Sequence, residues 1–161
     1  MIFLDERLIG AWLGTAEGVM EASGIVFLAD GRGWSRFDSI SGELAVSRFR
    51  WHCPDNGVLS LRYTWQVSGE WDAEAAGGDG FAVVRHSGPF DEVIETGYRV
   101  GPHQPQLSAS EAAKTALLLD QAVEFEHVFH RSGRPATVAD DPSTAVVPYP
   151  PAPHPGGPPR S

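Results

Sequence analysis

The tightest constraint on this chain is a two-residue alternation between Leu44 and Val67, interrupted once at Asn56-Gly57. Phe49 and Trp51 fall on one face, and Arg48, Arg50 and His52 on the other. Beyond the interruption, Leu59, Leu61, Tyr63 and Trp65 share one face while Ser60, Arg62 and Thr64 share the opposite one. Side chains alternate across a strand with period two, so one side of this pair is apolar and aromatic and the other polar. Asn-Gly reaches positive φ at little cost and closes tight hairpins. The pattern predicts a half-buried antiparallel hairpin.

The same punctuation continues through most of the chain. Short apolar runs alternate with Gly, Asp, Asn and Pro clusters, as at Ala29-Asp30-Gly31-Arg32-Gly33 and Ser41-Gly42. Candidate strands are Ala11–Glu17, Gly24–Leu28, Gly33–Asp38, Leu44–His52, Val58–Val67, Phe81–His86, Val93–Val100, Ala116–Leu119 and Glu124–His130. Ser108-Ala109-Ser110-Glu111 has the form of a capping box before one helical turn. Residues Ser68–Gly80 read as a long Gly-rich, acidic loop. No helical pattern is long enough for a βαβ crossover. The expectation is an all-β fold, an antiparallel up-and-down β-barrel of about 8–9 strands, because closure removes exposed edges.

The composition changes near Arg131. Nine prolines lie between Pro135 and the C-terminus. Proline removes a backbone donor and blocks helix and central strand alike. The expected organisation is therefore a barrel domain over residues 5–131 and a disordered proline-rich tail over 132–161. PxxP spacing in the tail would allow recognition by a protein partner, although a solvated tail has the same composition. On this reading, truncation after Ser132 leaves thermal stability nearly unchanged.

The formal net charge of −9 disfavours sequence-independent nucleic-acid binding and docking on anionic membranes. Cys53 is the single cysteine, so no intrachain disulfide forms and a reducing cytoplasm is the simplest compartment. The first residues carry neither a basic region nor a long apolar stretch, so no signal peptide is expected.

At the N-terminus, Leu8-Ile9-Gly10-Ala11-Trp12 resembles the Gly-x-Trp opening of the lipocalin and calycin superfamily. Phe27–Gly33, Phe49-Arg50-Trp51 and Leu59–Tyr63 extend the resemblance to short bacterial lipocalin-like domains. It implies a barrel plugged at one end by Trp12, preceded by Gly10, with Arg131 after the last strand packing over the indole. A second motif of the Thr-Asp-Tyr type, a C-terminal helix and a disulfide are missing, which sets the chain apart from secreted transporters of that group.

Phe49, Trp51, Leu61, Tyr63, Trp65, Tyr98, Phe125, His127 and Phe129 are the candidates for lining the interior. An eight-stranded barrel either fills with such side chains or holds one small molecule. The first function this allows is binding of a small hydrophobic or aromatic molecule. A second is an enzyme of the cyclase or isomerase type, using Tyr63, Tyr98, Glu95 or His127 as polar groups. A third is a protein-interaction or immunity-type inhibitor using the acidic surface and tail. No catalytic signature stands out, and no cofactor is implied. His127-x-x-His130 would point to opposite faces of a strand and is rejected as a metal site. Asp72, Glu74 and Asp79 lack the ordered spacing of a calcium loop.

Overall fold

The computed structural model describes residues 2–14, 21–71, 80–103 and 114–150. Eight antiparallel strands close into one barrel in the order of the chain. They are β1 (Gly10–Gly14), β2 (Glu21–Phe27), β3 (Arg32–Ser39), β4 (Glu43–Asp55), β5 (Val58–Trp71), β6 (Phe81–His103), β7 (Lys114–Val123) and β8 (Glu126–Arg131). Closure is made by β1 on β8, with Trp12 opposite Arg131. The proposed capping box at Ser108–Glu111 and the acids Asp72, Glu74 and Asp79 lie outside the described residues.

Two of the nine expected strands are one. Phe81–His86 and Val93–Val100 belong to the single strand β6, which runs through Pro89. A proline lacks the N–H that a regular ladder needs. Here it lies opposite Trp65, where the β5–β6 register is already shifted, so the strand continues past it as strands do at bulges.

The interior is an unbroken apolar cluster. It contains Leu8, Trp12, Ile25, Phe27, Phe49, Trp51, Leu61, Tyr63, Ile94, Tyr98, Leu117 and Phe129, among others. Its aromatic rings meet edge to face, Phe27 on Trp51 at 5.1 Å and Phe49 on Tyr63 at 5.8 Å, the geometry that ring quadrupoles favour. Gly33 makes room for this packing. A Cβ there would lie 2.4 Å from the Phe49 ring and 2.3 Å from the Val26 carbonyl oxygen.

One end is sealed. A 3-10 turn over Glu6–Leu8 lies beneath it, capped by the Asp5 side chain. The fully buried Trp12 indole donates to the Leu8 carbonyl at 2.8 Å. The Arg131 guanidinium lies 4.3 Å from the Trp12 ring centroid and donates to the carbonyls of Ile9 and Arg7. A cation on an indole face, with its N–H groups also satisfied, fixes the turn to the last strand. Gly10, at φ 128°, takes the bend between the turn and β1 in a conformation that side-chain-bearing residues rarely adopt. Phe3 pairs with Cys53 at this same end.

The segment after Arg131 departs from expectation. Residues 132–150 are not a free tail. Thr137 caps a 3-10 turn over Val138–Asp140 in a reciprocal capping box, and Asp141 caps another over Pro142–Ala145. Ala136 and Val138 pack on an outer apolar cluster of Leu28, Trp34, Leu44 and Val46. Arg48 then anchors the segment. It donates to Ser143 at 2.8 Å and to the Val147 carbonyl, lies 3.6 Å from the Asp141 carboxylate, and stacks at 3.9 Å over the Tyr149 ring. Tyr149 in turn donates its hydroxyl proton to Asp141. This strap covers the outside of the barrel at least as far as Pro150, where Arg32 reaches the carbonyl. Residues 151–161 lie outside the described residues.

Candidate binding site at the open end of the barrel

A single extra residue decides what the other end of the barrel presents. Phe49 pairs with Tyr63, but Arg48 pairs with Trp65, so Thr64 is unmatched and bulges out of β5. A bulge reverses the side-chain parity of the rest of its strand. Leu59, Leu61 and Tyr63 point inward before it. Gln66 takes the inward face after it, opposite Ser47, and Trp65 is turned outward. Trp65 is thus not an interior residue. Its indole donates to the Ser87 hydroxyl on the barrel exterior, beside Arg48 of β4 and Tyr149 of the strap.

A cavity of about 340 Å³ opens at this end. β4 contributes Ser47, β5 contributes Tyr63 and Gln66, and β6 contributes Phe90, Glu92 and Ile94. The turn between β7 and β8 adds Glu124 and Phe125. Tyr63 and Phe90 meet at 5.4 Å and continue the aromatic stack of the interior into the cavity wall. Below them the interior is filled by side chains.

The turn itself is unusual. Val123 pairs with Glu126, leaving a two-residue connection in which Glu124 has φ 50° and Phe125 φ 66°. A tight hairpin with two positive φ values is ordinarily made with Asn-Gly or Gly-Gly. Two large L-residues in this conformation store roughly 1–3 kcal/mol each. Ser23 holds the turn by donating to the Glu124 carbonyl at 2.8 Å, and Phe125 sets its ring edge-on to Phe37 at 5.5 Å.

This geometry aims the Glu124 carboxyl into the barrel. The Ser35 hydroxyl donates to Glu124 Oε1 at 2.7 Å and lies 3.3 Å from the Tyr63 hydroxyl. Burial pushes the Glu124 pKa above the ordinary carboxylate range, and the nearby Glu92 adds to the rise against the lowering effect of Ser35. Burial also raises the Tyr63 pKa, assisted by Glu124 and Glu92, so this phenol keeps its proton. Among the described residues, no cationic side chain lines this cavity.

The sequence candidates divide accordingly. Phe49, Trp51, Leu61 and Phe129 are buried in the interior cluster, and Tyr63 joins that cluster to the cavity. Tyr98 is interior but faces the sealed end. Its hydroxyl donates to Asp5 at 2.7 Å, and Arg7, with help from this bond, holds the Asp5 pKa at about 2. Phe125 is not an interior residue. It is 83% exposed, at the cavity rim, because it occupies the turn. His127 is also outside the interior, exposed, with Nδ1 donating to the Leu119 carbonyl at 3.0 Å. His127 falls where the β7–β8 ladder is irregular, between the Leu118–Val128 and Val123–Glu126 pairs, and does not follow Phe129 inward. Glu95 is exposed on the outer face of β6.

Ser35 and Glu124 were not among the sequence candidates. Ser35 is a small polar residue in a strand of mixed character, and its only local signal is its alternation with Gly33 and Phe37. Among the described residues, no group of three or more potential metal ligands comes together, and no helix is long and apolar enough to cross a membrane. Compared with protein-family models, curated proteins and solved structures, the chain matches none.

Proposed function

We propose that the protein is a lipocalin-like barrel that binds a small molecule at its open end. The carrying observation is the arrangement of Glu124, Ser35 and Tyr63 on an aromatic wall in a cavity of about 340 Å³. Ligand sites typically join an apolar wall to a few fixed polar groups. Here Phe90 and Tyr63 supply the wall, and the buried carboxyl supplies the orienting group. The cavity is shallow because Phe49, Trp51 and Leu61 fill the barrel beneath it, so the ligand is of one or two rings rather than a long chain.

A second reading has one observation in its favour. A carboxyl whose pKa is raised by burial is suited to general acid–base work, and Glu124 lies in one hydrogen-bonded group with Ser35 and Tyr63. An enzyme on this barrel would therefore act through Glu124 and Tyr63, not through Tyr98, Glu95 or His127.

Native mass spectrometry of the protein purified from its own host tests the binding reading. The expected result is a co-purifying small molecule that is lost when Phe90 is replaced by a charged residue. A ligand retained in full by Phe90→Asp would place it elsewhere and overturn the assignment.

A further inference from the structure

We infer that the open-end cavity selects a small aromatic amine in its protonated form, with the ammonium on Glu124 and the ring against Tyr63 and Phe90. This rests on the proposed binding site and adds the chemical class of its occupant. Three independent features converge on it.

The first is the state of the carboxyl. Ser35 satisfies Oε1 of Glu124, and the described residues supply no hydrogen bond to Oε2. Among the described residues, no buried side-chain polar atom lacks a partner, so Oε2 is not sealed in the protein, and Glu124 lines the cavity. An acceptor presented to a hollow selects a ligand that donates.

The second feature is the sign of the surroundings. Glu92 lies across the ladder from Tyr63 and lines the same cavity. Ser47, Gln66 and Tyr63 add neutral polar groups, and among the described residues no basic side chain lines the cavity. An anionic ligand would meet two carboxylates without a counter-charge. A cationic ligand would neutralise the buried one and restore the charged form that burial disfavours.

The third feature is the wall. Tyr63 and Phe90 are in tilted contact at 5.4 Å and both border the cavity. Aromatic faces attract cations and stack on rings, so the same wall serves the ammonium and the body of the ligand. The depth left above the packed interior suits a compact ring carrying a short amine arm.

Isothermal titration with three probes of one shape tests this: tryptamine, uncharged 3-ethylindole and anionic indole-3-propionate. Tryptamine should bind at least tenfold more tightly than 3-ethylindole, as a charge-assisted hydrogen bond to a partly buried group implies, and indole-3-propionate should bind weakest. Glu124→Gln should remove the preference for tryptamine while leaving 3-ethylindole affinity within about threefold. Should that variant fail to fold, Glu92→Gln at the rim is the second test, with a smaller loss confined to tryptamine. Equal affinity for tryptamine and 3-ethylindole would overturn the amine assignment and leave small-molecule binding standing. Absence of binding by all three would overturn both.

Discussion

At Glu124, burial and charge act against each other, and the balance shifts with pH. Its native pKa lies above the ordinary carboxylate value, chiefly through desolvation and secondarily through Glu92. At low pH the group is neutral in both folded and unfolded chains and contributes nothing. As pH rises through the unfolded value, the unfolded chain releases its proton first, and the native state loses stability until the folded pKa is passed. Glu124→Gln keeps an acceptor for Ser35 and removes the ionisation. Its melting temperature relative to wild type should therefore rise over the range from below to above the ordinary carboxylate pKa, with no gain at the lower end. Thermal melts across that range check this, and a constant difference would show that Glu124 is not buried as described. The residue escaped sequence reading because Glu-Phe has none of the chemistry of a tight hairpin turn. Neither residue is Gly, Asn or Asp, so Glu124–His130 reads as uninterrupted strand. Such a conflict between local preference and observed backbone is expected where a site imposes its own geometry.

Among the elements, the β4–β5 hairpin was the most legible, because the alternation around Asn56-Gly57 states both its turn and its faces. The reading failed only after Thr64, where one unpaired residue reversed the parity and moved Trp65 outside. A bulge of this kind leaves no composition signal. Residues 132–150 differ from the expected disorder for another reason. Proline-rich composition favours disorder, but Asp141, Ser143 and Tyr149 meet Arg48, some hundred residues away in sequence. Long-range anchoring of that sort is invisible locally. Arg48 and Asp141 are both nearly fully buried, and removing one member of a buried ion pair typically costs about 3–5 kcal/mol. Arg48→Ala should lower stability by an amount of that order in chemical denaturation, and truncation after Ser132 should lower it as well. A truncated protein as stable as the full chain would show the strap to be an adherent tail rather than part of the fold.

The whole molecule is a barrel with unlike ends. Trp12, Arg131 and the turn Glu6–Leu8 close one end, and the strained turn at Glu124-Phe125 overlooks a cavity at the other. The contact of Arg131 on Trp12 was expected only through the lipocalin-like resemblance of the Gly10-Ala11-Trp12 opening, whereas the barrel class was readable from strand spacing, which is sequence-local. Which end is open was not, because it depends on Ser35, Tyr63 and Glu124, which are distant in sequence and meet only after closure. Amide and side-chain NMR shifts during titration with tryptamine test the central claim most directly. The account predicts the largest changes at Ser35, Tyr63, Gln66, Phe90 and Glu124, with Tyr98 and the Arg48–Tyr149 contact unmoved. Changes centred on the strap, or at the sealed end around Trp12 and Tyr98, would contradict it.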